Sequence, residues 1–352
     1  MLLVDIKKKL GEFQLDVSFE TRGETLALLG ASGCGKSMTL QCVAGIIRPD
    51  SGRIELNGRV LFDSKKHIDL APQQRRVGYL FQQYALFPHM TAAQNIAAGA
   101  RHLSKAERRE TVARIVRQFH LEGLENRYPA QLSGGQQQRL ALGRIFAGQP
   151  ELLLLDEPFA ALDSYLKWQL ELELMDTLAA FGGDVVFVSH DRDEVCRLCQ
   201  SVCVLTDGTS EPKETVRRLM EAPGTVGAAL LSGCKNYSRA ERLDDHTVRC
   251  GDWGVTLRTA AEVPANVTAV GVRAHHIVPI AAGENDIPCT VVRVIEDAFS
   301  TVVMLATPGG NTGKSLLRLE LDRGRWAALG GPDRLTVHIA PEQVMALTGG
   351  GV

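Results

Sequence analysis

Short unbroken apolar runs alternate with helically spaced stretches over roughly the first two-thirds of the chain, a rhythm that predicts an α/β sheet domain. Thr25-Leu26-Ala27-Leu28-Leu29, Leu152-Leu153-Leu154-Leu155 and Val185-Val186-Phe187-Val188 lack the polar alternation of a half-exposed strand. Each suits a parallel strand covered on both faces. Each run also ends in polar residues, and ligands of open parallel sheets lie beyond the carboxyl ends of the strands. From about 91 to 146 the chain turns to Ala, Arg, Glu and Gln at helical spacing, which predicts a helical subdomain inserted in the sheet domain.

After about residue 232 the texture changes. Thr247–Cys250, Val255–Arg258, Ala269–Arg273, Cys289–Ile295, Thr301–Ala306, Ser315–Leu321 and Leu335–Ile339 read as short strands punctuated by Gly, Pro, Asn and Asp. They predict a small all-β barrel or sandwich. The expected boundaries are 1–222 for the sheet domain and 233–352 for the β-rich domain, with a linker near Glu221-Ala222-Pro223-Gly224.

Composition narrows the function classes. The 352 residues suit two domains, and a formal net charge of −2 gives no global basic field for nucleic acid. No run approaches the roughly 20 apolar residues of a membrane-spanning helix. Met1-Leu2-Leu3-Val4-Asp5 does not read as a signal peptide, so the chain is expected to be cytosolic and any membrane partner a separate chain. The eight cysteines are too scattered for a disulfide framework. Cys196, Cys199 and Cys203 lack the second CxxC or histidine pair of a metal site and read as buried thiols.

Gly30-Ala31-Ser32-Gly33-Cys34-Gly35-Lys36-Ser37 fits GxxxxGK[ST] directly after a predicted strand, and a helical pattern from Met38 to Ala44 follows, closed by Gly45. Glycines there let backbone N–H groups converge on phosphate oxygens at a helix N-terminus. Lys36 is expected to reach the β- and γ-phosphates and Ser37 to ligate Mg²⁺. Leu152–Leu155 then delivers Asp156 and Glu157 to the same sheet edge. Asp156 suits a metal role and Glu157 that of general base toward water. In Leu132-Ser133-Gly134-Gly135-Gln136-Gln137-Gln138-Arg139, Ser133 is placed as an N-cap and two glycines leave the helix start open to a phosphate. A second anion-binding helix start is surplus to one nucleotide in one P-loop. It makes sense if it closes over the nucleotide of another copy.

The Leu132–Gln136 sequence resembles the signature motif of ATP-binding-cassette (ABC) ATPases, and further motifs of that family stand in order. Gln82 resembles the Q-loop glutamine, which in the family approaches Mg²⁺ and couples the site to membrane subunits; Ala161-Leu162-Asp163 resembles the D-loop; His190 resembles the switch histidine that contacts the γ-phosphate. The resemblance covers residues 1 to about 220 and implies a P-loop NTPase sheet. It further implies a head-to-tail homodimer holding two ATP molecules, each between one P-loop and the partner's Ser133–Gln136 and Asp163, docked on an integral membrane permease at the cytoplasmic face. One departure is that Lys7-Lys8-Lys9 stands where the family usually places an adenine-stacking aromatic; the nearest ring, Phe13, reads as a core residue.

Tyr84–Thr91 and the β-rich region resemble importers for maltodextrin, sulfate, molybdate, polyamines and ferric iron, whose ATPases carry a transport-associated OB-type domain. With Asn57-Gly58-Arg59-Val60-Leu61-Phe62-Asp63-Ser64, the likeness is nearest to molybdate (or sulfate/molybdate) import ATPases, which implies an extracytoplasmic solute-binding protein as an indirect partner. Sulfate or thiosulfate, then ferric iron or polyamine, are the alternatives. The β-rich domain reads equally as an oxyanion sensor or a dimerisation scaffold; His275-His276 and Lys314-Ser315 read as loop or strand-end residues rather than anion ligands. A soluble ABC ATPase of ribosomes or DNA fits less well, because there is one P-loop, one signature and no long coiled-coil pattern between them. An anion-sensing regulator that transports nothing is the other rival.

Overall fold

The structure is a computed structural model that describes residues 1–160, 164–310 and 315–349; the side chains of 164–166 fall outside that description. Two compact units divide the chain, Met1–Val216 and Arg217–Val352. Asp163 and Lys314 lie outside the described residues.

Strands of the first unit are β1 (Leu2–Leu10), β2 (Phe13–Thr21), β3 (Thr25–Gly30), β4 (Ser51–Leu56), β5 (Arg59–Asp63), β6 (Ile68–Asp69), β7 (Val77–Leu80), β8 (Leu152–Asp156), β9 (Asp184–Ser189), β10 (Ser201–Thr206), β11 (Thr209–Ser210) and β12 (Glu214–Thr215). They form a mixed sheet in the order β6-β5-β4-β1-β2-β11-β10-β3-β9-β8-β7, with β12 beside β10. The run β10-β3-β9-β8-β7 is parallel throughout. Its continuous apolar strands are covered on both faces: every residue of β3, β8 and β9 is buried. By contrast, β1 and β2 pair antiparallel and bury alternate residues, Val4 and Ile6 on one strand and Leu15 and Val17 on the other. On one face of the sheet, Leu26, Leu28, Leu152, Leu154, Val186 and Val188 share a core with Val4, Ile6, Leu15 and Val17, and truncating Leu154 to Ala there is expected to cost about 2–5 kcal/mol.

Helices α1 (Lys36–Ala44), α2 (Ala92–Gly99), α3 (Lys105–Gln118), α4 (Gly134–Ala147), α5 (Ser164–Phe181) and α6 (Arg192–Leu198) complete the unit. The segment between β7 and β8 holds α2, α3 and α4. Each begins with a capping box that is legible in sequence: Thr91 with Gln94, Ser104 with Glu107, Ser133 with Gln136. Glycines let these helices approach closely. A Cβ on Gly99 would stand 2.0 Å from the Arg144 carbonyl oxygen, and one on Gly143 2.9 Å from Ile115. Among the described residues, no helix is long and apolar enough to cross a membrane.

The second unit is mainly β, with two five-stranded antiparallel sheets. Thr247–Cys250 and Val255–Arg258 have the bounds expected from sequence, whereas Asn236–Asp244 is an additional long strand. Its buried face is Asn236, Ser238 and Ala240, small or polar residues that leave no hydropathy signal. Trp253 anchors this unit's core beside Val248, Leu305 and Val337. His275 and His276 sit in a short 3₁₀ turn with their rings 4.4 Å apart; burial, then His275 and Arg273, hold His276 below its ordinary value. One cysteine differs from expectation. Cys196 is exposed, because it falls on the solvent side of α6, while Cys199 and Cys203 are buried.

Candidate active site

Four parallel strands end at one edge of the sheet and bring the sequence-marked residues there. β3 ends at Gly30, where a Cβ would stand 2.4 Å from the Leu205 carbonyl oxygen of β10, so only glycine fits. The loop Ala31-Ser32-Gly33 is exposed, Gly33 and Gly35 take left-handed backbone at φ 83° and 104°, and α1 starts at Lys36. Gly35 caps α1 without a side-chain acceptor, so the first N–H groups of α1 carry no side-chain cap. Lys36 is buried, and its Nζ donates to the carbonyl oxygens of Gly30 and Ala31, each at 2.8 Å. The ammonium is therefore stapled across the loop it is expected to serve. Cys34 is buried with Sγ 3.8 Å from Lys36 Nζ, and Met38 packs on the core.

The Ser37 hydroxyl donates to Asp156 Oδ1 and the Tyr79 hydroxyl to Asp156 Oδ2, both at 2.8 Å. Burial pushes the Asp156 carboxyl above its ordinary value, and the hydrogen bonds from Tyr79 and Ser37 pull the other way. Tyr79 is raised in turn by burial and by Asp156. A hydroxyl and a carboxylate converging beside a phosphate-shaped loop are the hard oxygen donors that Mg²⁺ takes, so these residues fit the ion.

Glu157 follows with a left-handed backbone at φ 46°, a strained conformation for a residue with a side chain. Its N–H donates to the Val188 carbonyl oxygen of β9 at 3.0 Å. Its carboxylate meets Gln82 Nε2 at 3.4 Å and His190 Nδ1 at 3.4 Å. Residues from two neighbouring strand ends, Gln82 and His190, thus meet the Glu157 carboxylate. His190 is itself exposed, and its neighbour Asp191 caps α6 by accepting from the N–H groups of Asp193 and Glu194.

Ser133, Gly134, Gly135 and Gln136 form the start of a different helix. Ser133 is exposed; its Oγ accepts from Gln136 N–H at 3.4 Å and its N–H donates to Gln136 Oε1 at 3.0 Å. Among the described residues no hydrogen bond joins this turn to the P-loop of the same chain. Phe13 is half-buried and packs on the core, while Lys7 and Lys8 pair with Asp16 and Asp50.

Three supporting residues escaped the sequence reading. Tyr79 precedes Gln82 by three residues on β7, in register with Leu154 of the strand that carries Asp156. A tyrosine half-buried in a parallel strand needs a polar partner, which was the available signal. Lys167 bonds Asp191 and Glu194 at 2.6 Å each; burial opposes its charge, but the two carboxylates hold it above the ordinary lysine value. Arg144 of α4 donates to the carbonyl oxygens of Ala85 and Tyr84 at 2.7 and 3.0 Å.

This chain is similar to known proteins. The ABC transporter family matches residues 14–160. The chain is 41% identical to the molybdenum import ATP-binding protein ModC of Paramagnetospirillum magneticum, over 87% of this chain and 88% of that protein. It is 38% identical to the sulfate/thiosulfate import ATP-binding protein CysA of Caulobacter vibrioides, over 86% and 87%. Among solved structures it is similar to the ATP-binding cassette MJ0796, a post-hydrolysis dimer bound to ADP and Pi, with a TM-score of 0.53 and 31% identity over 62% of this chain and 99% of that one. The chain belongs to the ABC transporter family, as the ATP-hydrolysing subunit of an importer.

Proposed function

We propose that this subunit drives uptake of molybdate by closing and opening a homodimer around two ATP molecules. The observation that carries the choice of solute is the 41% identity to the molybdenum import protein, which extends over 87% of the chain and therefore into the β-rich unit. Sulfate or thiosulfate is the second reading, because the likeness to CysA runs as far at 38%. Competition decides between them: with permease and binding protein reconstituted in vesicles, labelled molybdate uptake is suppressed by unlabelled molybdate and withstands equimolar sulfate. Suppression by sulfate instead assigns the second reading.

Within one protomer, Gly30–Met38 hold the triphosphate, with backbone N–H groups and Lys36 facing the phosphates. Ser37 and Asp156, with Gln82, would hold Mg²⁺, and the ion would supply positive charge against the phosphoryl oxygens. Glu157 takes the proton of the attacking water while Gln82 and His190 fix the direction of its carboxylate. The water oxygen forms the new bond to the γ-phosphorus. The bond to the bridging oxygen breaks, and its electron pair leaves with ADP.

The partner supplies the second cradle, Ser133–Gln136, with Asp163 beside it. Its support is the exposed, self-capped start of α4, which among the described residues no hydrogen bond joins to the P-loop of its own chain. ATP joins the halves and loss of the γ-phosphate releases them, a two-state switch biased by ligand. A permease docked on the helical segment would convert that switch into alternating access at the cytoplasmic face of the membrane. A groove of about 590 Å³ there has Ala93, Ala97, Val112 and Val116 in its walls and Lys105 and Arg108 beside them.

A further inference from the structure

Helix α4 carries the Ser133 turn at its start and Arg144 in its last full turn, roughly 16 Å further along at 1.5 Å per residue. Arg144 is half-buried. Among the described residues no carboxylate pairs with it. Its guanidinium is committed to one target: Nη1 donates to the Ala85 carbonyl oxygen at 2.7 Å, Nη2 to that of Tyr84 at 3.0 Å, and the group lies 5.0 Å from the centre of the Phe87 ring. An arginine held by two carbonyls and a ring fixes a backbone through its rigid fork.

That backbone needs fixing. Tyr84 and Ala85 are successive non-glycine residues in left-handed conformation, at φ 58° and 46°. Such pairs persist only where their surroundings over-determine them. The turn they form begins at Gln82, whose amide meets Glu157. Tyr84 also reaches the other side of the site. Its buried hydroxyl donates to the Pro158 carbonyl oxygen, one residue beyond Glu157, at 3.4 Å. At its own end Arg144 cannot drift, since α2 leaves no room for even a methyl group between Gly99 and the Arg144 carbonyl oxygen.

We infer that Arg144 is a positioning residue through which α4 sets the Tyr84–Ala85 turn and hence Gln82 against Glu157. The inference rests on the proposed role of Gln82. Geometry at one end of α4 then acts on hydrolysis at the other.

The test is steady-state ATP hydrolysis by the full chain, read as kcat and KM separately and normalised to folded protein. Arg144→Met is expected to lower kcat by about tenfold or more with KM changed by less than about twofold, as misplacement of a catalytic group does. Arg144→Lys is expected to fall between, about threefold down, because an ammonium cannot span both carbonyls. If Arg144→Met does not fold, Arg144→Lys carries the test, and wild-type kcat in it overturns the inference. In the Gln82→Ala background, adding Arg144→Met is expected to change kcat no further; effects that multiply would overturn the inference. A slow Gln82→Ala chain beside a fast Arg144→Met chain overturns the clamp alone. A Gln82→Ala chain with wild-type kcat removes the proposed role of Gln82, and the clamp with it.

Discussion

Tyr79 donates its hydroxyl hydrogen to Asp156 across 2.8 Å, linking neighbouring parallel strands at the point where the sheet meets its phosphate loop. Without the bond, a buried carboxylate would lose one of its two hydroxyl donors. The charged form of Asp156 would then be disfavoured further. Tyr79→Phe is therefore expected to move the Asp156 pKa upward, and with it the acid limb of the pH profile of kcat/KM. A profile that overlays the wild type would show that the bond does not tune the carboxylate.

The same carboxylate is a liability for the resting fold. Burial places its folded pKa above the unfolded one, so stability falls as pH rises from the unfolded value through the folded one. Asp156→Asn is expected to raise Tm in the absence of nucleotide by about 2–4 °C, if the relief is worth roughly 1 kcal/mol. It should also abolish the further rise that MgATP gives the wild type. A variant that melts lower, or keeps its MgATP shift, would contradict this view of Asp156.

Lys36 is tied to Gly30 and Ala31 by 2.8 Å bonds, so its ammonium lies across the phosphate loop. Lys36→Ala is expected to weaken ATP binding by about a hundredfold or more, a loss of about 2.7 kcal/mol. Isothermal titration measures it directly. Wild-type affinity would place the phosphates elsewhere.

Lys167 ties α5 to the start of α6, behind His190. Glu194 is buried, so Lys167→Met leaves an unpaired charge and is expected to cost about 1–3 kcal/mol in urea unfolding. Glu194→Gln in the same chain should recover much of it. Because the folded pKa of Lys167 is raised, the wild-type pair persists at neutral pH and fades only as pH climbs through the alkaline range in which that lysine titrates. No recovery in the double variant would mean that Lys167 acts through packing alone.

Much of this site was legible in the sequence because its chemistry is local. Strand-ending carboxylates, glycines at fixed spacing and capping boxes each act within a few residues, and Gly30–Ser37, Asp156-Glu157 and Ser133–Gln136 all fall in such windows. The supports were hidden because they act across the fold. Nothing near Arg144 in the chain announces carbonyls 59 and 60 residues away. Tyr79 is silent until β7 is laid beside β8. The strand Asn236–Asp244 escaped for a different reason, since its inward residues are small or polar and its pattern carries no apolar alternation.

The claim that most needs testing is that two chains complete each other's sites. The most direct measurement is the mass in solution, by light scattering, of the Glu157→Gln chain with MgATP. Removing the general base is expected to leave ATP bound while turnover falls by about 10²–10⁴-fold. The 38.3 kDa chain should then double in mass, and Ser133→Glu in the same background should return it to one copy. A Glu157→Gln chain that binds ATP yet stays at the mass of one copy would contradict the account.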